Sequence, residues 1–173
     1  MPIVTVEGFY RDRITDSGGR TILDSGWQKN VVVLSGRVLL AAFVKNEATV
    51  LGVRSMQLGR GDPAWDTLPI PTADPSTTRL TDNSPFTIPL ANLTLQYLDA
   101  GDQVIVTPSN RVQITATLGP GQPAPATDPP VPLREFGLFG QLNGVPQLID
   151  YVRHPLIEKV GALTLERKVR LVF

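Results

Sequence analysis

Apolar and polar positions alternate from the start of the chain. In "IVTVEGFYRDRITD", Ile3, Thr5 and Glu7 face one way, and Val4, Val6 and Gly8 the other. This period of two predicts a strand. "DSGG" at Asp16–Gly19 is a turn signal, because glycine supplies positive φ at low cost. "RTILDSGWQ" then returns, so residues 3–15 and 20–28 read as an antiparallel hairpin. The last stretch, "ALTLERKVRLVF", alternates as well. It sets Leu163, Leu165, Arg167, Val169 and Leu171 against Thr164, Glu166, Lys168, Arg170 and Val172.

One segment breaks the period. In "NVVVLSGRVLLAAFVKN" the apolar residues recur at helical spacing over a broad face, which predicts a helix over about 34–45. Ser35 is its candidate cap. Such a face should lie on a sheet, burying Leu39, Leu40 and Phe43. The run is interrupted by Ser35, Gly36 and Arg37, and is too short and broken to span a bilayer.

"VRSMQLGRG" reads as a buried strand ending in a glycine turn, and "GDPAWDTLPIPTADPS" as a long proline-rich loop over 60–75. "LQYLDAGDQVIVTPSNRVQITATLG" reads as strands separated by "DAGD" and "TPSN". Residues 120–132 carry six prolines, which predicts an extended, exposed segment that does not pair as a strand. "REFGLFG" and "PQLIDYVRH" follow. Regular short strands with glycine and proline turns predict a mainly β fold, an antiparallel β-sandwich or barrel-like domain with one short α-helix packed on it. The expected organisation is one domain over 1–173. An N-terminal hairpin takes 1–32 and the sandwich 50–173, with proline-rich loops at 60–75 and 120–132. Its expected core is Leu133, Phe136, Leu138, Leu148, Ile149, Leu163, Leu165, Val169 and Leu171, beside the three helix residues.

Composition narrows the function. Sixteen basic residues balance sixteen acidic ones, so the chain has no net charge with which to draw nucleic acid. It has no cysteine, and with that no disulfide, thiolate metal site or cysteine nucleophile. The opening residues lack the basic start and apolar run of a signal peptide, so synthesis in the cytoplasm is expected. Walker and dinucleotide-binding glycine patterns are absent. At 6% aromatic residues, base stacking and sugar binding have few candidates: Trp27, Trp65, Tyr97, Tyr151 and Tyr10.

The one histidine, His154, lies beside Arg153 and four residues before Glu158. A general base needs a nucleophile or second acid, and a metal needs several ligands. No other histidine or cysteine exists to supply them, so His154 reads as a loop residue between two strands, in the extended conformation that Pro155 imposes. Asp62, Asp66 and Asp74 lack the spacing of a calcium loop, and loop solvation and Asx turns account for them better. "RGD" at Arg60–Asp62 carries little weight. No catalytic, cofactor or metal residue is predicted.

Three segments together bear a resemblance. "GWQKNVVVLSGRVLLAAFV", through Trp27, Asn30 and Gly36, resembles an opening motif of small structural proteins of tailed bacteriophages. "VRSMQLGRGDPAWDTLPIPTAD" is similar to a second motif through Met56, Leu58, Gly59, Gly61, Asp66, Thr67 and Leu68, departing from it at Pro63 and Trp65. "LREFGLFG" and "LIDYVRHPLIEKVGALTLERKVRLVF" resemble the family's ending through Arg134, Glu135, Gly137, Leu138, Phe139, Pro155, Ile157, Lys159, Leu163, Leu165 and Phe173.

The resemblance implies a non-enzymatic virion component of the tail, baseplate or fibre, without cofactor. Its implied partners are other virion proteins and copies of itself in a trimer or ring, with no nucleic acid and no membrane. A capsid decoration (cement) protein and a receptor- or carbohydrate-binding module are the alternatives. The resemblance further implies roles for its residues. Arg134 and Glu135 pair with each other or bond backbone near a sheet edge. Gly137 permits close packing, Leu138 and Phe139 fill the core, and Pro155 and Ile157 start the final strand pair. His154 lies inside the motif without belonging to it.

Overall fold

A computed structural model describes residues 6–67 and 69–173. Residues 3–5 of the expected first strand, and Leu68 of the second motif, lie outside the described residues.

Alternation is realised where it was read. Strand β1 (Glu7–Thr15) and strand β12 (Thr164–Val172) each bury every second residue, and they pair antiparallel from Glu7 opposite Val172 to Thr15 opposite Thr164. The first turn returns the chain as β2 (Thr21–Asp24) against β1, and β3 (Gln28–Lys29) pairs with β1 further along. Strands β7 (Leu93–Leu98), β8 (Val104–Ile105) and β9 (Arg111–Leu118) complete this sheet in the order β2-β1-β12-β9-β7-β8.

The second sheet holds β4 (Val31–Val32), β5 (Val50–Gly59), β6 (Phe86–Pro89), β10 (Val131–Leu142) and β11 (Val145–Lys159), in the order β4-β11-β10-β5-β6. Among the described residues the fold is therefore mainly β, two antiparallel sheets with one α-helix. The main core lies between the sheets: Phe136, Leu138 and Leu133 of β10 meet Leu165, Val169 and Leu171 of β12 and Ile114 of β9. Leu148 and Ile149 are buried as expected, and Leu163 is half-buried.

Strand β10 is buried on both faces from Leu133 to Gly140. The outer face is covered by this chain's own loop between β5 and β6. Leu80 of that loop packs with Val33, Phe139, Leu148 and Tyr151 in a second, smaller core. Leu138 and Phe139, neighbours in sequence, thus fill two different cores, because consecutive strand residues point to opposite faces.

Four expectations need correction. Helix α1 (Leu34–Val44) has the expected bounds, but it buries only Gly36 and Leu39; Leu40 and Phe43 are exposed. Ser35 does not cap it, since Val33 holds the N-cap position and the Ser35 hydroxyl donates to the Leu148 carbonyl at 2.7 Å. Neither His154 nor Pro155 marks a strand boundary. Both lie inside β11, where a register shift opposite Leu133–Glu135 accommodates a proline that has no N–H to give the ladder. Residues 120–130 stay outside the sheets, but Val131 and Pro132 open β10 and pair with Lys159 and Glu158.

Candidate functional site

The motif residues gather on the outer side of the second sheet and clamp the loop over it. Glu135, fully buried on β10, accepts hydrogen bonds from the backbone N–H groups of Thr81 (3.0 Å) and Asp82 (2.7 Å), and from the Tyr151 hydroxyl (2.5 Å). Three donors stabilise a carboxylate that burial alone would penalise. Arg134 bonds Asp66 in a two-pronged pair at 2.7 and 2.6 Å, and donates to the Arg60 carbonyl at 2.9 Å. That guanidinium holds the Asp66 carboxyl below its ordinary range. Arg134 and Glu135 do not pair with each other. Both reach the loop, and β10 lies inside its sheet, between β5 and β11.

Glycines let the parts approach. A Cβ at Gly59 would sit 2.5 Å from the Glu135 carboxylate, and one at Gly61 would sit 2.6 Å from the Trp65 ring. One at Gly137 would meet Leu148 at 2.6 Å and Leu80 at 3.1 Å. Gly36 seats α1 on β11, where a Cβ would come within 2.5 Å of the Ile149 carbonyl. Thr67 closes a short 3-10 turn (Pro63–Asp66) by bonding the Ala64 carbonyl, and Leu58 is buried beside Gly59.

The first motif lies on the other side of the second sheet, towards the first sheet. The Asn30 amide donates to buried Asp150 at 2.6 Å, next to Gly8. Burial pushes the Asp150 carboxyl well above the usual carboxylate range. Trp27 lies elsewhere, under the guanidinium of Arg170 at 3.8 Å. The last motif residues also work locally. Ile157 is buried in the main core, and Pro155 faces solvent. The Lys159 ammonium is buried and donates to the carbonyls of Gly119, Val160 and Leu163, using all three of its hydrogens.

His154 belongs to a different cluster, in the core between the sheets. Its Nδ1 bonds the Pro155 carbonyl at 2.8 Å, which places the proton there, and Nε2 then accepts from Arg167 at 3.0 Å. Arg167 in turn grips Asp12 and lies 4.0 Å from the centre of the Phe136 ring. Burial, and secondarily the Arg167 charge, push the histidine down to about 3. Both ring nitrogens are engaged, and neither faces solvent. Glu158 is not part of this cluster; its place on β11 is opposite Pro132.

The loop aspartates divide their work. Asp62 and Asp74 make Asx turns, accepting from Ala64 and Ser76, while Asp66 is held by Arg134. Among the described residues no group of three acidic or histidine side chains is placed to share a metal ion. Of the five aromatic candidates Tyr97 is exposed, and the other four are more covered. Tyr10 and Tyr151 are buried, and Trp65 lies 5.0 Å beneath the Arg153 guanidinium. Sequence reading missed the Glu135–Tyr151 bond and the Arg134–Asp66 pair. The sixteen- and sixty-eight-residue separations of these partners leave no local pattern to read.

No protein-family model matches the chain, and neither the curated proteins nor the solved structures contain a match to it.

Proposed function

We propose that this chain is a non-enzymatic structural component of a tailed-phage virion, associated with the tail, baseplate or fibre, that acts through protein–protein contacts. The observation that carries the reading is the convergence of residues from the second and third motifs. Gly59, Gly61 and Asp66 of the second motif and Arg134, Glu135 and Gly137 of the third meet where the loop crosses β5, β10 and β11, while Asn30 and Gly36 of the first contact Asp150 and Ile149 of β11 from the inner side. Arg134 and Asp66, matched in separate motifs, form a direct two-pronged pair, and Gly59 leaves room for the Glu135 carboxylate. Their roles are architectural: close backbone approach, loop anchoring and charge pairing.

Two further features favour assembly over ligand chemistry. The histidine is enclosed with both nitrogens used. The tryptophans, which would head a sugar-binding face, are each covered by an arginine.

The test is quantitative mass spectrometry of purified particles, with labelled antibody imaging to place the chain. A closed ring at the tail or neck gives roughly six to eighteen copies. Hundreds of copies would mean a capsid decoration protein, and absence from infectious particles would reject the virion reading altogether.

A further inference from the structure

Helix α1 reads Leu-Ser-Gly-Arg-Val-Leu-Leu-Ala-Ala-Phe-Val, with Arg37 its one charged residue, yet only Gly36 and Leu39 are buried. A helix apolar on nearly every side is ordinarily enclosed. Here Phe43 is 69% exposed and Val44 77%. Beside this ridge the space between the sheets opens as a cleft of about 460 Å³. Ile114 and Leu171 line its buried depth, and Leu40, Phe43, Leu95, Tyr97 and Phe173 its exposed parts; no lining residue is charged.

We infer that this face is where two copies of the chain associate, the α1 ridge of each seated in the cleft of the other. The inference deepens the assembly reading above, and rests on it only for the purpose the contact serves. Three observations select a second copy. The face carries a convex apolar ridge directly beside a concave apolar cleft, and a two-fold axis brings such a pair into register with itself. The area suffices: Leu40, Phe43, Val44, Leu95, Tyr97 and Phe173, each 38–77% exposed, offer on the order of 600 Å² of surface, against the roughly 450–520 Å² apolar share of the ~800 Å² each partner gives to a standard interface. The electrostatics permit it, because sixteen positive and sixteen negative residues leave copies with no net repulsion, and the cleft asks for an uncharged occupant. A small apolar ligand would fill the cleft but leave Val44 and the outer side of Phe43 in water.

Sedimentation velocity of the full chain from about 1 to 100 µM reads this directly, since that span brackets micromolar self-affinity. The expected result is a concentration-dependent dimer. Phe43→Glu and Val44→Glu, at exposed positions, should each weaken it by about tenfold or more, with the melting temperature unchanged when measured at concentrations where the chain is monomeric. Ile22→Glu on β2, at the opposite edge of the first sheet, should leave it intact. A wild-type chain that stays monomeric throughout would overturn the inference. So would a dimer that survives both α1 substitutions, or one that Ile22→Glu breaks equally. Uptake of an apolar dye by a chain that never dimerises would assign the cleft to a small ligand and overturn it too. The outcomes separate from the virion test: a dimer absent from particles sinks only the virion reading, and a monomer found in particles sinks only this one.

Discussion

Asp12 and Arg167, 155 residues apart in sequence, stand directly opposite each other on β1 and β12 and share a two-pronged ion pair of 2.6 and 2.8 Å with almost no solvent contact. Within the alternating pattern of β12, Arg167 occupies an inward position between Leu165 and Val169. A charge there is tolerable only because the opposite strand supplies its partner at the same rung. The pair therefore fixes register as well as charge: a two-residue slip, which keeps Arg167 inward, would set it opposite Tyr10 or Ile14 and bury an unpaired guanidinium.

Removing one member should be costly. Arg167→Met leaves Asp12 buried and alone, and should destabilise by about 3–5 kcal/mol in urea unfolding. The double replacement Asp12→Leu with Arg167→Met should recover most of that loss. Two single-site costs that simply add in the double variant would show that the pair is not coupled.

Acid stability should carry the mark of His154. Its folded value of about 3 lies below the ordinary 6.5, so between those values the unfolded chain binds the proton and the folded chain does not. The histidine's contribution is complete above about pH 6.5, and is lost as pH falls toward 3, by up to about 1.4 kcal/mol per pH unit. Asp150, raised by burial, acts in the opposite sense: its contribution is present below the ordinary carboxylate range and lost as pH rises through its folded value. Stability against pH for His154→Gln should lack the first slope, and for Asp150→Asn the second. Parallel curves for wild type and His154→Gln would refute the assignment.

The close approaches predict which glycines tolerate a methyl group. Gly137→Ala drives a Cβ into Leu148 and toward the Asp150 carbonyl, and should cost about 1–3 kcal/mol. Gly36→Ala meets backbone at Ile149, which yields less readily than a side chain, so the loss should be at least as large and the helix should shift. Gly52, with nothing within 4 Å of a Cβ, is the control and should change little. Thermal melts of the three variants rank them.

Leu39 and Leu40 are neighbours on α1 with opposite fates. In the monomeric chain, Leu39→Ala should cost about 2–5 kcal/mol and Leu40→Ala well under half as much. Equal costs in chemical unfolding would mean that the helix is more deeply embedded than its exposure indicates.

The strands that could be read from sequence are those with one wet face and one dry face. In β1 and β12, alternation is the direct image of that asymmetry. Where both faces are covered, as in β10, the period weakens and only apolarity remains to be read. The helix shows a different limit. Its spacing located it within a residue, but periodicity reports which residues are apolar and not what covers them, so Leu40 and Phe43 were assigned to the core. Pro155 misled because proline usually ends a strand, and here it sits at a bulge inside one. Motif membership marked Arg134, Glu135 and Asp66, but their partners became visible only when the loop was seen folded across the sheet.

That folded-back loop also constrains how copies can be arranged. Sandwich proteins often build arrays by laying one broad sheet surface against another. Here the broad surface of the second sheet is already upholstered by its own chain, tied down at Glu135 and Arg134. Stacking through it would first require peeling that covering away. Any neighbour laid against that side meets the loop and not the strands beneath it.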